Sequence, residues 1–217
     1  MKFDIEAIIF DCDGTLVDSE IPGMDVMYAM AVEVGLTITR EQAYQQFRGT
    51  RMATCVSWIA SQMLHKQDNF EADFTVKARQ AMNARFQQGL AAIPGAEELL
   101  GKLKIPFCVA TNGPREKVEL TLRVAGLRGY FGGNIFSAYE LGCFKPDPAL
   151  FLHAADAMGV QPPQCAVVED SLPGIQAGVA AGMQVFSLLK ASDLPTDLVQ
   201  GVRPIESLRD LNAYLKN

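Results

Sequence analysis

The chain has 217 residues, 49% hydrophobic and 20% charged, with 25 acidic against 19 basic side chains and a net charge of -6. This composition suits a soluble globular protein and excludes a disordered one, and the acidic balance excludes nucleic acid or an anionic membrane surface as the main partner, since both need a basic face. No run approaches the ~18 apolar residues of a membrane span; Asp4, Glu6 and Asp11 stand where a secretory signal would be basic and then apolar; and the five cysteines lack a C-x-x-C pair, so a reducing cytoplasm is the expected location.

In chain order, Ala7 to Phe10 is a bounded apolar run, as expected of a strand covered on both faces of a parallel sheet. A long helical stretch comes next. Thr39 with Gln42 forms a capping box opening Arg40 to Phe47, and Met52 to Leu64 and Ala72 to Gln87 continue the helical pattern. Pro94 and Gly95 mark a return to alternating elements, with strands at Phe107 to Ala110, Ile135 to Phe136, Ala166 to Val168 and Val185 to Leu188. Between them, one helix runs from Pro114 to Ala125 before Gly126, and another starts at Pro148, with Phe151, Ala154, Ala155 and Met158 at helical spacing before Gly159. Almost a hundred residues between the first two strands are too many for a single crossover. The pattern therefore predicts an α/β fold, a Rossmann-like parallel sheet core, with an inserted α-helical domain. The core is expected over residues 1–18 and 90–217, and the insertion over 19–89. The insertion holds seven acids and seven bases, so the core carries the whole net charge of -6.

Four polar clusters succeed four of the predicted strands, and a parallel sheet brings such strand ends to one edge. Asp11-Cys12-Asp13-Gly14-Thr15 places two carboxylates at the end of the first strand, with a glycine for the turn. A calcium loop would need Gly at the sixth position and Glu at the twelfth, where this run has Leu16 and Pro22. Thr111-Asn112-Gly113-Pro114 offers a hydroxyl, an amide and backbone N–H groups at a helix start, as an anion site does. Lys145 stands in the proline-bracketed Lys145-Pro146-Asp147-Pro148, and Glu169-Asp170-Ser171 comes after an apolar run. Each cluster alone has an ordinary structural explanation: a turn, a cap or a solvated charge. Together, Asp11, Asp13, Glu169 and Asp170 would repel one another unless a hard divalent cation, most simply Mg2+, joined them. Lys145 and Thr111 supply the positive and hydrogen-bonding character that suits a phosphoryl group.

These stretches (FDCDGTLVDSE, the NGP after Thr111, KPDPAL and AGMQVF) resemble the haloacid dehalogenase superfamily in its helical-cap branch of phosphatases and phosphomutases. Within that branch the chain is most similar to bacterial sugar-phosphate phosphatases, 6-phosphogluconate phosphatases among them. The resemblance implies a Mg2+-dependent hydrolase of small phosphorylated metabolites. Asp11 would be the nucleophile that becomes an aspartyl-phosphate, and Asp13 the acid and then the base. Thr111, the backbone near Asn112, and Lys145 would hold the phosphoryl oxygens. The metal would be held by Asp11, the backbone carbonyl of Asp13, and Asp170, with Glu169 a direct or water-mediated ligand.

Within the family, Asp13 argues against dehalogenation, since a departing halide needs no proton. Carbon–phosphorus cleavage would need an imine-forming cap lysine, and Lys66 and Lys77 carry no mark of one. The alternative is phosphoryl transfer of the β-phosphoglucomutase type, but those enzymes carry a cap histidine where this chain has Gly23. A non-catalytic binding protein on the same scaffold is a further alternative, which the retained Asp11, Asp13 and Lys145 disfavour. The inserted cap is expected to close over the site and set specificity. Arg48 and Arg51, in the loop between two cap helices, suit a sugar acid or another anionic head group. Arg115 is a further possible contact, and His65 and His153 carry no assigned role. The oligomeric state is left open, with a monomer compatible.

Overall fold

The structure, a computed structural model, describes residues 4–63 and 68–215. His65, Lys66 and the Leu64 end of the predicted Met52 to Leu64 helix lie outside the described residues.

Strand β1 (Ala7–Phe10) is buried at all four positions, which only a central strand covered on both faces allows. It pairs in parallel with β2 (Phe107–Thr111) on one side and β4 (Cys165–Glu169) on the other. Strand β3 (Ile135–Ser137) lies outside β2, while β5 (Gln184–Ser187) and then β6 (Val202–Pro204) lie outside β4. The order is β3-β2-β1-β4-β5-β6, the doubly wound arrangement whose strand order reverses beside β1. Strand β6 is absent from the predicted set because its three residues, Val202, Arg203 and Pro204, form no apolar run. At the sheet edge, proline and a charge are tolerated.

The chain forms two compact units, residues 1–18 with 91–217 and residues 19–90. In the second unit, α1 (Glu20–Glu33), α2 (Arg40–Phe47), α3 (Met52–Gln62) and α4 (Phe70–Gln87) enclose their own core, which includes Met24, Met27, Phe47, Val56, Ile59 and Phe74. Trp58 packs edge-on against Phe47 at 5.8 Å between ring centroids. The Thr39–Gln42 capping box is formed, with Thr39 N donating to Gln42 Oε1 at 2.8 Å and Gln42 N to Thr39 Oγ1 at 3.2 Å.

In the first unit, α5 (Ala96–Leu100), α6 (Arg115–Val124), α7 (Ala138–Leu141), α8 (Ala149–Met158) and α9 (Leu172–Ala180) accompany the sheet. Helix α6 starts one residue after Pro114, which stays extended at ψ 151° and serves as the N-cap. Ala7 and Ile9 of β1 pack with Phe151 and Ala154 of α8 and Ile175 and Ala177 of α9. No helix among the described residues is long and apolar enough to cross a membrane.

The register fixes where the loops leave the sheet. Phe10 is level with Val109 of β2 and Val168 of β4, so the chain leaves all three strands at one edge through Asp11, Thr111 and Glu169. Replacing Thr39 by Ala removes one arm of the capping box and should destabilise α2 by about 1 kcal/mol. This would be read as faster amide exchange across Arg40–Phe47, and unchanged exchange would deny the box its role.

Candidate active site

Asp11 directly succeeds β1 as a buried carboxylate, 8% exposed. The loop after it is shaped around Asp170. Gly14 has φ +83°, and a Cβ there would fall 2.0 Å from Asp170 Oδ2, so only glycine serves both the turn and the close approach. Next to it, the buried Thr15 hydroxyl donates to Asp170 Oδ1 at 2.9 Å. Asp13 turns the other way, toward α6, and its Oδ2 accepts from Lys117 Nζ at 2.7 Å.

Lys145 is buried, 2% exposed. Its ammonium donates to Asp11 Oδ1 at 2.5 Å and Glu169 Oε1 at 2.6 Å, and lies 4.8 Å from the centroid of the Phe151 ring. The Asn112 amide clamps the lysine backbone from both sides: Asn112 Oδ1 accepts from Lys145 N at 2.9 Å, and Nδ2 donates to Lys145 O at 3.3 Å. Glu169 is fully buried. Its second oxygen accepts from Asp170 N at 3.1 Å, Ser171 N at 3.0 Å and Ser171 Oγ at 2.8 Å. Those donors belong to the turn that opens α9, where exposed N–H groups favour an anion. Gly174 makes room for it, since a Cβ there would fall 1.8 Å from Glu169 Oε1.

Ligand oxygens of Asp11, Glu169 and Asp170 lie within 4.8 Å of one another. A set of carboxylates alone suits a hard cation such as Mg2+ or Ca2+. The charge count also fits a divalent ion: four carboxylates, counting Asp13, face Lys145 and Lys117, leaving two negative charges to be balanced. The strain is visible in Asp11. Burial pushes its carboxyl up to about 7, against the pull of Lys145, while Glu169 and Asp13 push it further. Burial disfavours the Lys145 ammonium too, but attraction to Asp11 and Glu169 outweighs it and the pKa rises. Lys117 behaves likewise, with Asp13, Cys12 and Asp11 together outweighing burial.

The structure thus gathers Asp11, Glu169, Asp170 and Lys145 directly. Thr111 is buried at the end of β2 with its hydroxyl accepting from Gly113 N at 3.0 Å. The Asn112 side chain is engaged with the Lys145 backbone, a task its sequence position did not suggest. Arg48 and Arg51 belong to the second unit: Arg48 directly succeeds α2 and pairs with Glu20 at 3.8 Å, and Arg51 is the N-cap of α3. Arg115 is directed to Glu140 and the Ile135 carbonyl, and Lys117, two residues on, is the α6 cation bonded to Asp13. Sequence reasoning missed Lys117, although helical geometry carried a hint, since positions two apart on a helix point to nearly opposite sides. His153 stacks edge-on against Phe136 at 5.4 Å.

The profile of the haloacid dehalogenase-like hydrolases matches residues 5–182. The chain is 38% identical over 182 residues to 6-phosphogluconate phosphatase of Escherichia coli, spanning 84% of this chain and 81% of that one. It is 30% identical to hexitol phosphatase A of the same organism, spanning 88% and 86%. Among solved structures, a family hydrolase from Deinococcus radiodurans with bound phosphate and sodium superposes with a TM-score of 0.76 at 31% identity, covering 97% of this chain and 94% of that one.

A carboxyl whose pKa rises from 3.8 to about 7 on folding makes the folded state hold a proton that the unfolded chain has released. Its contribution to stability is therefore present below pH 3.8 and lost as pH rises through about 7. In a chelator, the unfolding midpoint should fall between pH 5 and pH 8 more steeply for wild type than for Asp11→Asn; parallel slopes would contradict the assignment. Gly174→Ala should displace Glu169 and lower the unfolding midpoint by several degrees, because the added methyl meets a carboxylate that has no room to retreat. A midpoint matching wild type would show that Glu169 can move.

Proposed function

The chain belongs to the haloacid dehalogenase-like hydrolase family, and from that premise we propose that it is a Mg2+-dependent phosphatase hydrolysing sugar phosphates or phosphosugar acids through an aspartyl-phosphate on Asp11. It is a phosphoric monoester hydrolase, in keeping with its relatives named as phosphatases. The observation that carries the mechanism is the buried Lys145 ammonium bonded to both Asp11 and Glu169. An anionic phosphoryl group can approach a carboxylate only where fixed positive charge offsets the repulsion, and such charge acts strongly when water is excluded. The bound phosphate of the Deinococcus radiodurans relative supports the same kind of ligand here.

In this reading residues 1–18 and 90–217 are the catalytic core and 19–89 the cap. The Asp11 carboxylate attacks phosphorus in line, the bond to the leaving oxygen breaks, and its electron pair stays on that oxygen. Asp13 delivers a proton to the departing alcohol, then takes one from the water that cleaves the aspartyl-phosphate. The Thr111 hydroxyl, the backbone near Asn112, and the Lys145 ammonium hold the phosphoryl oxygens. Asn112 contributes a second time by fixing the Lys145 backbone. Asp11, Asp170 and the Asp13 carbonyl would hold Mg2+, with Glu169 a direct or water-mediated ligand. When bound, the metal supplies Lewis-acid charge neutralisation at the phosphoryl group. Arg48 and Arg51 would select an anionic sugar, as the 6-phosphogluconate phosphatase likeness suggests.

Hydrolysis is favoured over a phosphomutase reaction by position 23. Gly23 is buried in α1, and a side chain there would meet Phe86 Cζ at 3.7 Å and Met82 Cε at 3.9 Å, so no base is presented from that residue.

A panel of phosphomonoesters with Mg2+ should yield inorganic phosphate, with 6-phosphogluconate among the better substrates. Asp11→Asn should abolish release, and undiminished turnover would remove Asp11 as nucleophile. β-Glucose 1-phosphate should give free phosphate, whereas its conversion to glucose 6-phosphate would establish the mutase.

A further inference from the structure

We infer that Lys117 is a positioning residue for proton delivery, holding Oδ2 of the Asp13 carboxyl so that Oδ1 carries the proton to the leaving alcohol; the inference rests on the phosphatase reading above. Lys117 Nζ donates to Asp13 Oδ2 at 2.7 Å, joining the loop after β1 to the helix after β2. Both side chains are 28% exposed, so the pair stands at the rim of the buried Asp11–Lys145–Glu169 group and not in bulk solvent.

Two neighbouring features fit the lysine to this task. Its stem passes over Gly113, where a Cβ would lie 3.4 Å from Thr111 Oγ1, 3.6 Å from Lys117 Cδ and 3.7 Å from Asp13 Oδ2. The hydroxyl, the lysine stem and the carboxylate thus converge on the same backbone position, each within van der Waals reach of it. One helical turn beyond Lys117, Thr121 Oγ1 lies 3.7 Å from Cys12 Sγ, so α6 meets the Cys12-Asp13 segment at two successive turns.

A part-buried ion pair adds little net stability, because desolvation of the two charges offsets their attraction, so its consequence lies in orientation. A group that transfers a proton must sit within hydrogen-bond reach of the atom that receives it, and a carboxylate free to rotate spends much of its time elsewhere. Lys117 removes that freedom by holding one oxygen. The need is greatest for an alkoxide leaving group, which must gain a proton as its bond to phosphorus breaks. p-Nitrophenolate departs as a stable anion and needs none.

The test compares kcat/KM, which reports the steps through departure of the leaving group. The substrates are p-nitrophenyl phosphate and a sugar phosphate turned over by wild type, assayed with Mg2+. Lys117→Met should lower kcat/KM on the sugar phosphate about tenfold more than on p-nitrophenyl phosphate. Lys117→Arg, which keeps a cation within reach, should restore most of the difference. In an Asp13→Ala background, Lys117→Met should no longer change the ratio, because the two act as one unit. Equal losses on both substrates would make Lys117 a phosphoryl ligand instead, and no loss on either would make the pair incidental; each overturns the inference. Failure of the phosphatase reading is a separate result, in which wild type releases phosphate from neither substrate.

Discussion

One buried ammonium organises the first unit. Lys145 sits between Asp11 and Glu169 at hydrogen-bonding distance from both, in a place where an unpaired charge of either sign would be prohibitively costly. Each surrounding feature serves that contact. Asn112 fixes the lysine backbone and the Phe151 ring faces its ammonium. The opening turn of α9 binds the far oxygen of Glu169, over a glycine that leaves the carboxylate its space. A buried ion pair of this kind contributes little net stability, and burial, against the pull of Lys145, holds the Asp11 carboxyl high. With Asp11, Glu169 and Asp170 gathered around one point, a divalent cation would favour the ionised carboxylates there.

The second constraint is the parallel register. Three adjacent strands run level, with Phe10 beside Val109 and Val168. Residues as far apart in the chain as Asp11 and Glu169 therefore leave the sheet together where the strand order reverses. This explains why Asp11, Glu169 and Asp170 meet at one edge of the sheet. It also explains the division of labour among the loops. The loop after β1 supplies Asp11 and Asp13 and, through Gly14 and Thr15, shapes the seat of Asp170. The loop after β4 supplies Glu169 and Asp170, and α6 supplies Lys117. The four helices of residues 19–90 enclose a separate methionine- and phenylalanine-rich core.

Most of the architecture was legible because it is written in local periodicity. Strands β1 to β5 rest on apolar runs, and the Thr39–Gln42 box announces α2 within four residues. Strand β6 was not legible: Val202, Arg203 and Pro204 pair only because β5 offers them an edge. At the site, Asp11, Glu169, Asp170 and Lys145 were legible as clusters at strand ends, since the parallel-sheet rule alone sends those ends to one edge. What each side chain does there was not. The Asn112 amide, the Thr15 hydroxyl and the Lys117 ammonium each bond a partner at least 33 positions away.

The sequence by itself therefore determined the fold class and the edge of the sheet where the acids meet, because these depend on short-range patterning and on strand order. Only the tertiary structure decided which cation serves which carboxylate. Lys145 takes Asp11 and Glu169, Lys117 takes Asp13, and Arg115 turns away to Glu140. The reason is physical: an ion pair forms between groups that packing brings within about 3 Å, and chain spacing carries no record of that distance once a strand, a loop and a helix lie between them.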